Sequence, residues 1–195
     1  MRLISILILF VLHSVAFAQF PIFQSNISEK EASRSLVFKE FSKDYSGIMS
    51  FSQHSFLSGR EEYFLLVFDN GKWGLVRWTF SLSSNSRPRG QEKELVHYDK
   101  DELNHFLEFL GESKFYSLNQ DSINIDRKPF NDGESKEVLA ILDGTTDRIE
   151  IFSNGKHLFL ESHEPERFPK FIYSQQREVF IETKRRIFKL FGIVE

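Results

Sequence analysis

The sequence predicts an α+β domain with an antiparallel or mixed sheet of about five or six strands and two amphipathic helices packed on one sheet face. Two Asn-Gly pairs, Asn70-Gly71 and Asn154-Gly155, each separate two apolar runs, which is the strongest local signal of a β-hairpin. Two longer segments repeat apolar residues at helical spacing. The order hairpin, helix, meander, helix favours strands that pair with their sequence neighbours.

The first 18 residues have the pattern of a secretory signal peptide. Arg2 supplies a positive start, Leu3–Leu12 is an apolar run, and Ala16–Ala18 has the small-x-small pattern that signal peptidase cleaves. A run of about ten apolar residues is too short to cross a hydrocarbon core of about 30 Å, and no second run follows, so no transmembrane anchor is expected. The mature protein is therefore expected to begin at Gln19 and to be secreted or periplasmic.

The composition excludes several functional classes. The chain carries 25 Lys and Arg against 28 Asp and Glu, and this net charge of −3 argues against nucleic-acid binding, which needs a basic face. Because the chain has no Cys, disulfides, thiol catalysis and thiolate zinc sites are excluded. No cofactor is predicted. The 22 Phe residues predict an aromatic core, with an apolar ligand-binding groove as the alternative.

Residues 19–61 form an N-terminal segment whose structure the sequence leaves open. Ser28 and Glu31 have the spacing of a capping box and predict a short helix. Arg34–Phe41 fits the continuation of that helix or a strand equally well. Asp44–Arg60 is rich in Ser, Gly and Gln and is expected to be an irregular strand pair or a long loop. Without strands, the segment would be a flexible arm that binds a partner.

A single α+β domain is predicted over residues 62–195, and it begins with a hairpin. Strands Glu62–Phe68 and Trp73–Phe80 flank Asn70-Gly71, which suits a type I′ turn because that turn needs positive φ at both central positions. The turn sets the facing pairs, which are Phe68 with Trp73, Leu66 with Leu75, Leu65 with Val76 and Tyr63 with Trp78. Both faces are largely apolar, so the hairpin is expected inside the sheet.

A second hairpin is predicted around Asn154-Gly155, with strands Asp147–Ser153 and Lys156–Ser162. Its facing pairs are Ile151 with Leu158, Ile149 with Leu160, Arg148 with Glu161 and Glu150 with Phe159. A preceding strand, Glu137–Leu142, would complete a three-strand meander. The two hairpins share a Phe-x-Asn-Gly-Lys word, which indicates either a worn internal duplication or, as we favour, two independent uses of one turn.

Two amphipathic helices are predicted. In the first, Asp99 is the N-cap, Glu102 completes a capping box, and Gly111 ends the helix. The second is predicted over Pro169–Phe191, with its apolar residues on one side. Asn119–Glu134, between the first helix and the meander, is polar and is expected to form a long surface loop.

No catalytic motif stands out in the sequence. The chain has no Gly-x-Ser-x-Gly elbow, no phosphate-binding glycine loop and no His-Glu-x-x-His zinc pair. Trp73, Arg77 and Trp78, near Tyr63, are binding candidates because sugars stack on flat aromatic faces. His157, beside the second Asn-Gly turn, is a further binding candidate.

Two other segments carry charge patterns. No metal site is predicted, and the calcium candidates in the oxygen-rich loop, Asp121, Asp126 and Asp132, miss the spacing of an EF-hand. The run Lys184–Phe191 is basic and amphipathic, a pattern used at anionic membrane surfaces. Cations are equally expected in the last turn of a helix, where they complement the helix dipole. Peripheral membrane contact through this run is therefore the less favoured hypothesis.

Three functions fit these observations. The leading hypothesis is a non-enzymatic exported protein that binds a protein or envelope component in the cell envelope or extracellular space. The second is a hydrolase or other enzyme whose site is assembled from distant residues, such as His97 or His157 with a loop carboxylate. A cleft that holds an ionisable group with a shifted pKa would favour it. The third is a carrier of a lipid or apolar small molecule, which requires an apolar cavity.

Overall fold

A six-stranded antiparallel sheet forms the centre of the fold and confirms the predicted α+β class. The computed structural model describes residues 20–55, 59–82, 88–124, 144–167 and 173–193. The strands are β1 (Gly47–Ser55), β2 (Arg60–Asp69), β3 (Lys72–Leu82), β4 (Pro88–Val96), β5 (Thr145–Ser153) and β6 (Lys156–His163). They lie in the order β4-β3-β2-β1-β5-β6.

Five α-helices and one 3₁₀ turn occur in the described ranges. They are α1 (Glu29–Ala32), α2 (Leu36–Phe41), α3 (Lys100–Glu112), the 3₁₀ turn Phe115–Ser117, α4 (Gln120–Ile123) and α5 (Gln175–Leu190). Across this part of the chain, no helix is both long enough and apolar enough to span a bilayer.

Both Asn-Gly hairpins have the predicted register. Asn70 and Gly71 have φ of 49° and 75°, and Asn154 and Gly155 have φ of 50° and 71°. These positive values are those that a type I′ turn requires. All of the predicted facing pairs occur in both hairpins. The first hairpin lies inside the sheet, because β1 flanks β2 and β4 flanks β3.

The expectation of an irregular pair or loop over Asp44–Arg60 is wrong. β1 is one regular strand in the middle of the sheet, paired with β2 on one side and β5 on the other. Its Ser and Gln content suggested a loop, but Ser50 and Ser52 are buried on one face while Met49 and Phe51 are buried on the other. The strand therefore presents Ser50 and Ser52 to one face of the sheet and Met49 and Phe51 to the other.

The predicted three-strand meander is also corrected. β5 pairs with β6 on one side and with β1 on the other. The place beside β5 that was predicted for Glu137–Leu142 is therefore occupied by β1. Glu137–Leu142 lies outside the described residues. The long-range pairing of β1 with β5 joins positions about 100 residues apart, such as Ser50 and Glu150. Local patterns carry no signal of such a pairing.

The N-terminal segment contains the predicted capping box. The Ser28 backbone N–H donates to Oε2 of Glu31 at 2.8 Å, and the Glu31 N–H donates to Oγ of Ser28 at 3.3 Å. Ser35 caps α2 in the same way, through the N–H of Phe38 at 3.2 Å. The strand alternative for Arg34–Phe41 is therefore wrong, because two short capped helices occupy this region.

The predicted start of α3 is confirmed and its end is shifted. The side chain of Asp99 accepts hydrogen bonds from the N–H groups of Asp101 and Glu102. Glu102 does not complete the predicted capping box, because its carboxylate contacts Nζ of Lys189 at 2.8 Å. Gly111 lies within the helix, which continues to Glu112. The left-handed residue after the helix is Lys114, with φ of 57°.

The second long helix starts later than predicted. Ser174 is its N-cap and accepts from the N–H of Arg177, so α5 begins at Gln175 rather than at Pro169. The start of the predicted surface loop is also helical, because Asn119 caps α4. Residues 125–134 of that loop lie outside the described residues.

The sheet has two unlike faces. The helix face packs against α3 and α5, as predicted for the two amphipathic helices. Its core contains Met49, Phe51, Phe64, Leu66, Ile149, Ile151, Leu158 and Leu160 from the sheet and Leu103, Phe106, Leu110, Phe180, Ile187 and Leu190 from the helices. The opposite side, the cleft face, packs against α1 and α2. Its core contains Ala32, Val37, Phe41, Ile48, Tyr63, Leu65, Val67, Val76, Trp78, Phe80 and Phe152.

Candidate functional site

The two short helices cover only part of the cleft face. Beside them lies a cleft of about 380 Å³, called the polar cleft below. Its lining residues are Ile27, Glu31, Arg34, Ser35, Leu36, His54, Glu61, Tyr63, Leu82, Arg148, Glu150 and Phe159. The cleft thus combines charged side chains from the central strands with apolar side chains at its margin.

Three side chains on β1 and β2 form a continuous chain of contacts, called the His54 network below. Ser52 and His54 point to the cleft face because alternate residues of a strand share a face. Nε2 of His54 lies 3.0 Å from Oγ of Ser52. Nδ1 of His54 lies 2.6 Å from Oε2 of Glu61. The imidazole therefore lies between a hydroxyl and a carboxylate, although Oε2 of Glu61 forms no hydrogen bond within the described residues.

The surroundings of His54 favour its neutral form. Burial is the largest cause and lowers the pKa of His54 below its usual 6.5, and the positive charge of Arg148 lowers it further. The carboxylate of Glu61 acts in the opposite direction without reversing the shift. His54 is therefore an uncharged imidazole at neutral pH, with a nitrogen able to accept a proton.

Glu150 is the most deeply buried acid of the polar cleft. It is 3% exposed, and burial raises its pKa above the usual 4.5, although the Ser35 hydroxyl and Arg148 offset part of this shift. Oε2 of Glu150 is buried and finds no hydrogen-bond donor in the part of the chain that the structure describes. A buried acceptor without a donor is unfavourable, so this oxygen is suited to a ligand that donates a hydrogen bond.

Arg148 lies next to Ser52 on the neighbouring strand. Its Nε and Nη2 donate to Oε2 of Glu161 at 2.9 and 2.6 Å, and its guanidinium lies 5.2 Å from the ring centroid of Phe159. Glu161 therefore engages Arg148 directly. The carboxylate of Glu150 makes no such direct contact with a cation among the described residues.

The two predicted Trp residues do not form one binding platform. Trp78 is completely buried on the cleft face, where Nε1 donates to Oε1 of Gln91 at 3.2 Å. Trp73 lies on the helix face and stacks on Phe20, with ring centroids 5.3 Å apart. Arg77 is also on the helix face, and its Nη2 donates to the carbonyl of Phe191 at 3.3 Å. These three residues are therefore apart from one another.

His157 is a buried aromatic residue outside the polar cleft. It faces Phe152 as predicted, and its ring also packs edge-on against Phe38, with centroids 5.4 Å apart. Neither ring nitrogen has a hydrogen-bond partner among the described residues. Burial lowers the pKa of His157. The other histidine considered for catalysis, His97, is exposed after the end of β4.

The structure brings no predicted calcium ligands together in the described ranges. Asp121 lies in the first turn of α4 and is exposed. Asp126 and Asp132 lie outside the described residues. Within the described residues, no group of three or more His, Asp or Glu side chains could hold a metal ion.

The basic C-terminal run packs its apolar side on the sheet. Ile187 and Leu190 are buried in the core of the helix face. Lys184 is buried and contacts Oδ2 of Asp147 at 2.8 Å and Oε1 of Glu166 at 2.7 Å. Lys189 contacts Glu102 at 2.8 Å. Peripheral membrane contact by Lys184–Phe191 stays a prediction, and it would have to use the outer side of α5.

Sequence reasoning missed the His54 network. The signal that could have found it is the alternation from Met49 to His54, in which Ser50, Ser52 and His54 occupy one face of a strand. The Ser, Gly and Gln content of Asp44–Arg60 favours a loop or an irregular pair and conceals this alternation. Glu61 joins the network only through the pairing of β1 with β2, and Arg148 lies beside it only through the pairing of β1 with β5.

Comparison with known proteins detects no family model that matches this chain and no curated protein with significant similarity. The site is therefore interpreted from its own geometry and chemistry.

Proposed function

We propose that the protein is an exported binding domain whose polar cleft takes up a small ligand with a positively charged amine. The observation that carries this proposal is the buried Oε2 of Glu150, a residue that lines the cleft; no described residue donates a hydrogen bond to this oxygen. An ammonium group would donate to this oxygen and compensate its charge. Charge-assisted hydrogen bonds of this kind are among the stronger ones in proteins.

The charges of the polar cleft support a cationic ligand. Glu31, Glu61 and Glu150 line the cleft together with Arg34 and Arg148, and His54 is uncharged at neutral pH. Since Glu161 forms an ion pair with Arg148, the net charge of the groups around the cleft is negative. A negative cleft attracts a cation and disfavours a phosphate or carboxylate ligand.

The size and lining of the cleft support a small molecule. Ligand pockets typically enclose about 300–1,000 Å³, and the cleft of about 380 Å³ lies at the small end of that range. Ile27, Leu36 and Phe159 add apolar surface beside the charged groups. This combination suits a short amine with an apolar part.

Aromatic packing favours the polar cleft over the Phe-rich interior as the binding site. Phe51 and Phe64 both contact the Phe188 ring edge-on, with centroids 5.2 and 5.4 Å apart. Phe64 also contacts Phe191 at 5.1 Å. These rings fill the space between the sheet and α5, where an apolar carrier would need room for its cargo.

Isothermal titration calorimetry of the mature chain with a set of short primary amines and their isosteric alcohols tests the proposal. We expect amines to bind and alcohols to bind more weakly. Glu150→Gln should lower amine affinity by about 30-fold or more, as expected for loss of one partner of a buried charge pair. Glu92→Gln, at an exposed position on β4, is the matched control and should bind like the unchanged protein.

The pH dependence gives a second readout. Because burial raises the pKa of Glu150, amine affinity should fall with acidity from a pH above the usual 4.5 of a glutamate. Equal binding of amines and alcohols, or unchanged affinity in Glu150→Gln, would contradict the proposal.

A further inference from the structure

The polar cleft contains a second buried carboxylate oxygen without a hydrogen-bond donor among the described residues. Besides Oε2 of Glu150, on which the proposed function rests, Oε2 of Glu61 on β2 has this property. We propose that the ligand of the polar cleft is a linear diamine whose two ammonium groups contact these two oxygens, one at each end. This inference rests on the proposed amine-binding function and names the class of amine.

Glu61 is buried beside a neutral imidazole. It is 8% exposed and lines the polar cleft. Nδ1 of His54 lies 2.6 Å from Oε2 of Glu61, but the two atoms do not have the geometry of a hydrogen bond. Because burial lowers the pKa of His54, the ring is uncharged at neutral pH and does not compensate the negative charge of Glu61. An ammonium group at this oxygen would supply both the hydrogen bond and the charge.

The third acid that lines the cleft is already engaged. Oε2 of Glu31 accepts hydrogen bonds from the backbone N–H of Ser28 at 2.8 Å and from its hydroxyl at 2.7 Å. These contacts belong to the capping box of α1. Of the three acids, Glu61 and Glu150 therefore each present a buried oxygen to a ligand.

Strand pairing separates the two acids. Tyr63 on β2, Ser52 on β1 and Arg148 on β5 pair in one row across the sheet. Glu61 lies two residues before Tyr63, and Glu150 lies two residues after Arg148. Since β2 and β5 both run antiparallel to β1, these steps lead away from the row in opposite directions. The acids therefore lie on opposite sides of the row, and both face the cleft.

This placement sets the length of the diamine. Four residues along the strands and two strand spacings across them put the Cα atoms of Glu61 and Glu150 about 16 Å apart. Side chains stand roughly upright from a sheet, and an N–H···O contact of about 3 Å at each end leaves about 10 Å between the two ammonium nitrogens. With C–C bonds of about 1.5 Å, an extended chain advances about 1.3 Å per bond, so about seven methylene groups span this gap.

The lining between and beside the acids suits a methylene chain. Tyr63, in the row between them, lines the cleft with its buried ring. Phe159 is the partner of Glu150 across β5 and β6. Leu82, at the end of β3, lines the cleft and is 42% exposed. A bound methylene chain would cover apolar surface of this kind.

Two separate ammonium groups fit this arrangement better than one metal ion. Calcium needs its oxygen ligands within about 2.6 Å of one point, and the strand positions of Glu61 and Glu150 hold them too far apart. Within the described residues, no group of three or more His, Asp or Glu side chains could hold a metal ion. Arg148, in the row between the acids, is paired with Glu161, which offsets its repulsion of a cationic ligand.

Isothermal titration calorimetry of the protein with a series of straight-chain diamines tests the inference. We expect 1,7-diaminoheptane to bind at least about tenfold more tightly than 1-aminoheptane, because two linked contacts reinforce each other. 1,3-Diaminopropane carries the same charge but cannot reach both acids, so it should bind like a monoamine. Affinity should therefore pass through a maximum near the heptane chain.

Glu61→Gln distinguishes the two ends of the ligand. It should lower the affinity for 1,7-diaminoheptane by about tenfold or more. It should leave the affinity for 1-aminoheptane unchanged, because that amine is held by the more deeply buried Glu150. Glu150→Gln should weaken both ligands. Glu62→Gln is the matched control, since Glu62 lies next to Glu61 on β2, faces the other side of the sheet and contacts Arg77 at 3.6 Å.

The outcomes separate this inference from the proposed function. If monoamines bind through Glu150 and 1,7-diaminoheptane binds no more tightly, the diamine inference is wrong and the binding proposal stands. The inference is also wrong if Glu61→Gln retains the preference for the diamine, or if affinity rises steadily with chain length. If no amine binds, both proposals are wrong. Circular dichroism of Glu61→Gln verifies that a lost affinity does not reflect an unfolded variant, and the length series needs no variant.

Discussion

Asp147 and Glu150 lie three residues apart on β5 and on opposite faces of the sheet, and their surroundings differ sharply. On the helix face, Asp147 receives hydrogen bonds from Nζ of Lys184 at 2.8 Å and from Nε2 of Gln53 at 2.9 Å. On the cleft face, Oε2 of Glu150 has no donor among the described residues. Both oxygens of Asp147 therefore have partners within the fold, whereas Oε2 of Glu150 is the oxygen that we propose a ligand contacts.

The same contrast extends to the packing of the two faces. The helix face is a continuous aromatic and aliphatic core under two long helices. The cleft face has two short helices and a row of polar side chains beside them. The larger apolar core therefore lies on the helix face, whereas the cleft face combines a smaller apolar core with the polar cleft.

The largest effect is expected in the core of the helix face. Phe51 is completely buried, and Phe51→Ala removes ring contacts to Phe64 and Phe188. We expect the free energy of unfolding, measured by urea denaturation, to fall by about 3–5 kcal/mol. Leu95→Ala, at a residue that is 78% exposed, is the control and should change it by less than about 0.5 kcal/mol. Similar losses in the two variants would contradict the assignment of the core.

The next effect tests the partnered carboxylate. Asp147→Asn leaves the buried ammonium of Lys184 with Glu166 as the only carboxylate in contact among the described residues. Removing one partner of a buried ion pair costs about 3–5 kcal/mol, and the remaining contact to Glu166 puts the expected loss at the lower end of that range. Urea denaturation at pH 7 measures it. An unchanged midpoint would show that the pair is not a structural one.

A smaller effect, dependent on pH, is expected from His157. Its pKa is lowered by burial in the fold, so protonation is easier in the unfolded chain. The stability contributed by the neutral ring is complete above about pH 6.5 and is lost as the pH falls below it. His157→Phe should lessen the fall in unfolding free energy between pH 7 and pH 5 by about 1 kcal/mol. His54 has a shift in the same direction, so part of the slope should remain.

The control for that experiment is His105→Gln, because His105 is exposed on α3. Its pH profile should match that of the unchanged protein. If His105→Gln and His157→Phe alter the slope equally, the buried imidazole is not its source.

The smallest effect is a gain in stability, and it distinguishes Glu150 from Asp147. Glu150→Gln removes a charge that burial disfavours, so this variant should be about 1 kcal/mol more stable than the unchanged protein at pH 7. The gain should disappear below pH 4.5, because a carboxyl with a raised pKa destabilises the fold only above its unfolded pKa. Thermal melts at pH 7 and pH 4 measure both values. If Glu150→Gln is less stable than the unchanged protein at pH 7, Glu150 is a structural group like Asp147.

The candidate site shows where sequence reasoning stops. The alternation of Ser50, Ser52 and His54 is visible in the sequence, and it could have indicated a strand with one polar face. The contact of His54 with Glu61 requires the pairing of β1 with β2, and the position of Arg148 requires the pairing of β1 with β5. Trp73 and Trp78 are binding candidates by residue type, but Trp78 is completely buried and Trp73 stacks on Phe20.

The sequence by itself determined the local elements of this protein. Two Asn-Gly turns set the register of two hairpins, and Ser28 and Asp99 set the starts of two helices, because turn dihedrals and caps depend on residues within a few positions. The place of β1 between the hairpins, and the partial cover that α1 and α2 give to the cleft face, follow only from the tertiary structure. Strand order and the surroundings of a buried charge depend on residues up to about 100 positions apart, for which short-range periodicity holds no information.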